Sequence, residues 1–238
     1  MKITTVLFDL DGTLLPMDFP TFLKSYFGSL SVYLAPHGYE PKALNDAIWA
    51  GMKQMFENDG SRMNVDVFWE GFEESYGSRG EDALFDAYYL ERFDDVAQVC
   101  GRTAEAKHVV DYLKCKGVRV ALATNPAFPD IATEKRIRWA GLEPEDFELY
   151  TTFTNSHFCK PTLGYYQEVL DKIGVCAEEC LMVGNDVDDD MVAEELGMKV
   201  FLLDECLINN HGKDISRYPH GGYVDLFAYL DKNCNEMA

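Results

Sequence analysis

The sequence predicts an α/β protein built on a doubly wound parallel sheet, with an α-helical domain inserted into it. Three patterns lead to this prediction. From residue 118 onward, short apolar runs alternate with helical repeats, whereas residues 15–100 show helical repeats without strand-like runs. Such alternation is typical of parallel strands joined by right-handed helical crossovers. Polar clusters follow the apolar runs directly, at the strand ends where open α/β sheets bind their ligands.

Five apolar runs have the length and composition of buried strands. The first, residues 3–8, contains β-branched side chains and ends abruptly at Asp9. The other four are residues 118–123, 149–153, 181–183 and 198–203, among which 149–153 has the weakest pattern. The strands are therefore expected to bring polar residues to one edge of the sheet.

Seven stretches follow the helical repeat. Three belong to the sheet-forming part, at residues 106–113, 131–139 and 165–173, the last stopped by Gly174. The other four lie together, at residues 19–30, 44–56, 65–76 and 84–93. A helical block inserted after the first strand would lie over the strand ends as a lid. The predicted division is a core of residues 1–14 and 101–238 and a helical cap of residues 15–100.

Composition narrows the possible partners. The 238 residues are 47% hydrophobic and 26% charged, which is typical of a globular domain. The formal net charge of -20 argues against nucleic acid, whose binding depends on Lys and Arg, and against an anionic membrane surface. No apolar run is long enough for a membrane span or a signal peptide. Seven scattered cysteines predict reduced thiols and a cytoplasmic location.

Asp9 and Asp11 stand two positions apart at the end of the first predicted strand. Positions two apart in an extended segment point the same way, so both carboxylates can face one pocket while Gly12 lets the chain turn. Neighbouring like charges raise one pKa, so one acid can attack as a carboxylate while the other donates a proton. An ordinary Asp-Gly turn is the alternative interpretation.

Residues 184–190 place four acids within five positions after a short apolar run. Such crowding needs a cation or a helix N-terminus to compensate it. A calcium loop of the EF-hand type is excluded, because it would need Gly in place of Met191 and Glu in place of Gly197. Asp188 and Asp189 are interpreted as the solvated start of a helix.

Two further positions carry groups suited to phosphate. Thr124 and Asn125 follow the second predicted strand and offer a hydroxyl and an amide for phosphate oxygens. Lys160 offers a point charge that can screen a nucleophile from a phosphate dianion. Taken singly, each is also compatible with a turn or a surface residue, so the prediction depends on their combination with the two acidic motifs.

In order and spacing, these four motifs resemble those of the haloacid dehalogenase superfamily, and the likeness covers residues 2–203. The resemblance implies a Rossmann-like core with a helical cap of the first type. It implies that Asp9 attacks phosphorus to form an aspartyl-phosphate, and that Asp11 protonates the leaving oxygen and later deprotonates water. Thr124, with Asn125 beside it, would bind the transferring phosphoryl group, and Lys160 would steady that group and Asp9. Mg²⁺ would be held by Asp9, the backbone carbonyl of Asp11, and Asp186. Asp190 would be a further ligand or a residue that orients the ligands.

One departure concerns the fourth motif, where Asn185 stands between Gly and Asp. Asp186 is aligned as the metal ligand because Asp190 then falls four residues on; in another register Asp188 or Asp189 shares the role. The resemblance also implies phosphoryl transfer rather than dehalogenation or phosphonate hydrolysis, because the dehalogenases and phosphonate hydrolases of the superfamily lack an acid at the position of Asp11; a leaving halide needs no proton.

The expected function is magnesium-dependent hydrolysis of a small phosphorylated metabolite. One alternative is a phosphomutase of the β-phosphoglucomutase type, which returns the phosphoryl group to its substrate. The other is a catalytically idle relative whose acidic surface and aromatic-rich cap bind proteins. The sequence indicates neither the substrate nor the oligomeric state.

Overall fold

The computed structural model describes residues 2–234, so both ends of the predicted core segment, residues 1 and 235–238, lie outside the described residues. Its centre is a parallel sheet with the strand order β2-β1-β3-β4-β5. The strands are β1 (Thr5–Phe8), β2 (Arg119–Leu122), β3 (Cys180–Gly184), β4 (Lys199–Leu203) and β5 (His220–Gly221). The predicted α/β class with a doubly wound parallel sheet is confirmed.

Helices cover both faces of this sheet. The helices that follow β1 in the sheet-forming part are α5 (Glu105–Cys115), α6 (Asp130–Trp139), α7 (Leu163–Ile173) and α8 (Tyr223–Asn233). Val6 and Phe8 of β1 share one apolar cluster with α5, α6 and α8, whereas Leu7 points into a second cluster with α7. Successive side chains of a strand alternate between the two faces of the sheet. A strand that is buried on both faces therefore has a continuous apolar sequence.

The block between β1 and α5 contains helices and isolated bridges but no strand among the described residues. It contains α1 (Phe19–Leu34), α2 (Pro41–Phe56), α3 (Asn64–Tyr76) and α4 (Asp82–Glu91), followed by a 3₁₀ helix at Phe93–Val99. Most of its aromatic side chains are buried, and Phe22 and Phe93 belong to the same apolar cluster as β1. The inserted helices are thus packed onto the sheet-forming part, while their assignment as a separate domain stays a prediction.

Three segments differ from the predicted elements. Residues 149–153 form one isolated bridge, from Tyr150 to Leu122 of β2, rather than a strand; the N–H of Thr151 still donates to the carbonyl of Leu122, and its hydroxyl donates to the carbonyl of Thr124. The acidic segment leads into a six-residue 3₁₀ helix, Met191–Leu196, rather than an α-helix. Strand β5 and helix α8 were not predicted.

Within the described residues, no helix combines the length and the apolar character needed to cross a bilayer.

Candidate active site

The predicted site residues lie around one cleft of about 470 Å³ at the carboxyl ends of the strands. Phe8 of β1 is aligned with Leu122 of β2 and with Val183 of β3, so the chain leaves all three strands at the same level. The polar residues that line the cleft are Asp9, Asp11, Thr124, Asn125, Lys160, Asn185, Asp186, Asp189, Asp190 and Asn210. All seven residues named from the sequence as catalytic, phosphate-binding or metal-binding are therefore brought together.

Lys160 joins the first and fourth motifs. Its Nζ lies 2.8 Å from Oδ1 of Asp9 and 2.6 Å from Oδ1 of Asp190. Burial opposes the charge of Lys160, but the carboxylates of Asp190 and Asp9 raise its pKa well above the ordinary value. The residue is therefore a buried ammonium ion held between two acids.

Asp9 is the carboxylate that follows the central strand. Burial is the main cause that raises its pKa, to about 7; Lys160 acts in the opposite direction, and Asp190 and Asp11 add to the rise. The Thr13 hydroxyl donates to Oδ2 of Asp9 at 3.4 Å. Positive charge brought close to Asp9 would favour its ionised form.

Asp11 is held by an arginine that the sequence did not identify as part of the site. The guanidinium of Arg136, fully buried on α6, forms an ion pair with Oδ2 of Asp11. Burial raises the pKa of Asp11, against the lowering effects of Arg136 and Lys160. Oδ1 of Asp11 is buried without a hydrogen-bond partner among residues 2–234. The available signal was that Arg136 lies one helical turn from the buried residues Ala132 and Thr133, on the face of α6 that points inward.

Asn185, the departure within the fourth motif, ties that motif to the first. Its Oδ1 accepts a hydrogen bond from the Thr13 hydroxyl at 3.0 Å, and its Nδ2 donates to the carbonyl of Cys206 at 2.7 Å. Gly12 has a φ of 87°, and a Cβ there would lie 2.3 Å from Nδ2 of Asn185. Glycine at this position thus allows both the turn after β1 and the close approach of Asn185.

The four acids of the fourth motif have different surroundings. Oδ1 of Asp186 accepts hydrogen bonds from the backbone N–H groups of Asp188 and Asp189, at 2.8 and 3.0 Å. Oδ2 of Asp190 accepts from the backbone N–H of Asp186 at 3.0 Å, so both oxygens of Asp190 are engaged, one here and one by Lys160. This local bonding fixes the loop that follows β3.

The interpretation of Asp188 and Asp189 as the solvated start of a helix is wrong for Asp189, whereas Asp188 lies near the surface in ion pairs. Asp188 bonds His211 and Lys213 at the surface and does not line the cleft. Asp189 lines the cleft and accepts from Nδ2 of Asn125 at 3.3 Å, and burial raises its pKa to about 6. The difference depends on the path of the loop, which periodicity does not report.

The donor set of the cleft fits a hard divalent cation. Burial raises the pKa of Asp9, Asp11, Asp186 and Asp189, and for Asp9 and Asp11 it outweighs the lowering effects of Lys160 and Arg136, so further positive charge in the cleft would stabilise all four carboxylates. Oxygen ligands of this kind are the ones Mg²⁺ prefers. Within residues 2–234, however, no three His, Cys, Asp or Glu side chains are arranged closely enough to hold a metal ion. The acids therefore share one cleft without forming a preassembled coordination shell.

Comparison with known proteins agrees with this geometry. The family model described as haloacid dehalogenase-like hydrolase matches residues 3–197. Pyrophosphatase PpaX of Bacillus cereus (strain AH820) is 26% identical over 200 residues, which cover 84% of this chain and 82% of the relative. PpaX of Bacillus thuringiensis (strain Al Hakam) is 25% identical over the same shares.

Two solved structures share the fold. A haloacid dehalogenase (HAD) phosphatase from Thermococcus onnurineus superimposes with a TM-score of 0.59 at 17% identity, over 100% of both chains. A HAD family enzyme from Bacteroides thetaiotaomicron, solved in complex with magnesium and inorganic phosphate, gives a TM-score of 0.53 at 19% identity, over 90% of this chain and 98% of that one. At these identities the likeness establishes the fold.

Proposed function

Since the chain belongs to the haloacid dehalogenase-like hydrolase family, we propose that it is a phosphatase, which hydrolyses a small phosphomonoester in a magnesium-dependent reaction through an aspartyl-phosphate. The observation that carries this proposal is the buried arrangement of Asp9, Lys160 and Asp190 beside Asp11 in one cleft. A nucleophile, a cation that supports it and a second carboxyl group are the parts that this chemistry needs.

Asp9 is the proposed nucleophile. Its carboxylate would form a bond to phosphorus while the bond between phosphorus and the leaving oxygen breaks, and water would then hydrolyse the aspartyl-phosphate. The ammonium group of Lys160, 2.8 Å from Oδ1, supports this role because it reduces the repulsion between the carboxylate and a phosphate dianion. Thr124 and Asn125 line the same cleft and are proposed to hold the phosphoryl oxygens.

Asp11 is the proposed acid and base. Its raised pKa, caused mainly by burial, suits a group that donates a proton to the leaving oxygen and later accepts one from water. Oδ1 is the oxygen available for this transfer, because Oδ2 is occupied by Arg136.

Asp9, the backbone carbonyl of Asp11, and Asp186 are the proposed ligands of Mg²⁺. The ion, when bound, would supply positive charge to the carboxylates and to the phosphoryl oxygens. Asp190 is proposed to orient its neighbours, because Lys160 and the backbone N–H of Asp186 already occupy its two oxygens.

The proposed substrate is a small phosphorylated metabolite, and the proposed location is the cytoplasm. The net charge of -20 disfavours polyanionic partners such as nucleic acid. All seven cysteines are free, as expected in a reducing compartment.

The proposal is tested by phosphate release from 4-nitrophenyl phosphate and a panel of phosphorylated metabolites, with and without Mg²⁺. We expect Mg²⁺-dependent release by the wild type and by Asp188→Asn, whose acid lies outside the cleft, and none by Asp9→Asn. Acid quenching during turnover should trap one phosphoryl group on Asp9, detected by peptide mass spectrometry. Equal turnover by Asp9→Asn would refute the mechanism, and a requirement for a sugar bisphosphate without net hydrolysis would select the mutase alternative.

A further inference from the structure

The roof of the cleft is apolar. Five apolar side chains from α1 and α2, called the roof here, line the cleft together with the catalytic acids: Phe19, Leu23, Trp49, Met52 and Phe56. Three of them are unusually exposed for large apolar residues, with exposed fractions of 38% for Phe19, 47% for Trp49 and 40% for Phe56. Large apolar side chains exposed together, at the mouth of a polar cleft, are typical of a ligand-binding surface.

The charges around the cleft disfavour the binding of an anionic leaving group. Among its lining residues within 2–234, Lys160 is the only cation, and its side chain is buried between Asp9 and Asp190. The guanidinium of Arg136 is fully buried and paired with Asp11. A carboxylate or second phosphate on the leaving group would therefore face apolar side chains and acids without a cation to pair with, which is costly.

Mostly apolar space continues beyond the cleft. A neighbouring cavity of about 240 Å³ shares Leu23, Met52, Ala127 and Phe128 with it, and its other walls include Tyr26 and Trp69. The charged residues that line this cavity are Asp86 and the pair Arg79–Asp82, so the one cation among its described lining residues is already engaged by a carboxylate. We propose that the leaving group of the substrate is apolar, an alkyl chain or an aromatic ring, and that it packs on the roof formed by α1 and α2. This inference rests on the proposed phosphatase function, and it separates this chain from the relatives named as pyrophosphatases, because the leaving group of pyrophosphate is itself a phosphate.

The test compares esters whose leaving alcohols have nearly equal pKa. We expect kcat/KM for hexyl phosphate to exceed that for 5-carboxypentyl phosphate at least about tenfold, and pyrophosphate to be a poorer substrate still. Trp49→Gln should reduce this preference, mainly through a higher KM for hexyl phosphate. Leu90→Gln, which changes an exposed large apolar residue outside the cleft, should leave it unchanged.

The two proposals fail in different ways. Equal kcat/KM for the two esters, or a preference for the carboxylate or for pyrophosphate, would overturn the apolar leaving group and leave the phosphatase function intact. Absence of hydrolysis for every ester would overturn the function itself.

A second inference comes from the fixed position of Arg136. Its guanidinium bonds the carbonyl of Ala132 and the hydroxyl of Thr133 on its own helix, and it lies 4.4 Å from the ring centroid of Phe128. These contacts fix the position of the guanidinium group independently of its ion pair with Oδ2 of Asp11. A planar, preorganised cation of this kind fixes the orientation of a carboxylate.

The geometry points to Arg136 as a positioning residue for proton transfer. By holding Oδ2 of Asp11, it fixes the carboxyl group and leaves Oδ1, which is buried and has no hydrogen-bond partner in the described part of the chain, as the oxygen for proton transfer. Arg136 does not line the cleft, so it acts on the reaction only through Asp11.

This role is tested by comparing kcat/KM for substrates with different leaving groups. The ratio kcat/KM reports the steps up to formation of the aspartyl-phosphate, and the leaving group departs in these steps. Departure of an alkoxide needs a proton, whereas departure of 2,4-dinitrophenolate does not. Arg136→Met should therefore lower kcat/KM for hexyl phosphate at least about tenfold and that for 2,4-dinitrophenyl phosphate much less. Arg136→Lys should recover part of the loss, and Arg138→Met, on the exposed side of the same helix, should have no effect.

A double-variant comparison keeps the inference falsifiable if Arg136→Met is less stable. In an Asp11→Asn background, Arg136→Met should cause no further loss with hexyl phosphate. Equal losses with both esters, or losses that add in the Asp11→Asn background, would show that Arg136 serves only the stability of the fold.

Discussion

Nζ of Lys160 lies 2.6 Å from Oδ1 of Asp190, and only 1% of each side chain is exposed. The same nitrogen contacts Asp9, and the second oxygen of Asp190 accepts the backbone N–H of Asp186. One buried cation thus holds together the loops that follow β1 and β3. A buried pair of this kind is costly to break, because the remaining charge is left without a partner.

Lys160→Met should therefore lower the free energy of unfolding by about 3–5 kcal/mol, since it leaves Asp9 and Asp190 unpaired. The double variant Lys160→Met/Asp190→Asn should recover part of this loss, because only Asp9 then lacks a partner. Urea unfolding at neutral pH measures both. Lys53→Met, at a largely exposed lysine, is the control and should change stability by less than about 0.5 kcal/mol. A loss no larger than that of the control would contradict the buried pairing.

Gly12 and Gly38 form a matched pair for a second prediction. Both have a positive φ, 87° and 92°, but a Cβ at Gly12 would clash with Asn185, whereas a Cβ at Gly38 would meet nothing within 4 Å. Gly38→Ala should cost about 1–2 kcal/mol for the left-handed backbone alone. Gly12→Ala should cost a further 1–3 kcal/mol, roughly, from overpacking, and should also abolish turnover. Thermal unfolding and phosphate release measure the two effects, and equal costs at both glycines would show that Asn185 yields to the added methyl.

Magnesium should stabilise the folded chain. At a free concentration one hundred times the dissociation constant, a ligand that binds only the folded state adds about 2.7 kcal/mol to the free energy of unfolding. Asp186→Asn should remove most of the Mg²⁺-induced rise in melting temperature, and Asp188→Asn should retain it, because Asp188 is engaged by Lys213 and His211 outside the cleft. An equal rise in melting temperature in both variants would show that the ion does not bind at Asp186. As a control, EDTA should reverse any rise that Mg²⁺ causes.

Asp11→Asn should separate the two halves of the reaction. With 2,4-dinitrophenyl phosphate, whose leaving group needs no proton, the variant should still form the aspartyl-phosphate and release about one equivalent of dinitrophenol in a burst. Hydrolysis of the intermediate should then be slower than in the wild type by a factor of about 10²–10⁴, because no base activates water. Rapid-quench measurements report both phases. A steady state without a burst, at the wild-type rate, would exclude Asp11 as the base.

The parts of the fold that could be predicted from the sequence are those with a local signal. Strands β1, β2 and β3 are mostly apolar runs, and three of the four catalytic motifs follow them, so the convergence of Asp9, Thr124 and Asp186 followed from the geometry of parallel sheets. Strand β5 has only two residues and therefore no detectable period. Residues 149–153 have a strand-like composition and lie beside β2, but only Tyr150 forms a bridge with it, and such a short pairing has no signal of its own in the sequence.

The missed site residues depend on tertiary contacts. Arg136 lies in a helix with many charged residues, and only packing against Phe128 and Asp11 shows that it is buried. Asp188 and Asp189 are adjacent in the sequence and end in opposite surroundings, because the loop after β3 turns one outward and the other toward Asn125. Such differences are set by long-range contacts rather than by composition or spacing.

The position of the inserted helices also has a consequence for synthesis on the ribosome. Both neighbours of β1 in the sheet, β2 and β3, lie beyond residue 118, whereas α2 and α3 contact each other locally. At the usual rate of elongation, the nascent chain carries the first strand for on the order of ten seconds before a partner strand is available. During that interval the helices between them can pack first, and Thr5–Phe8, an apolar segment, must be kept from pairing with other nascent chains.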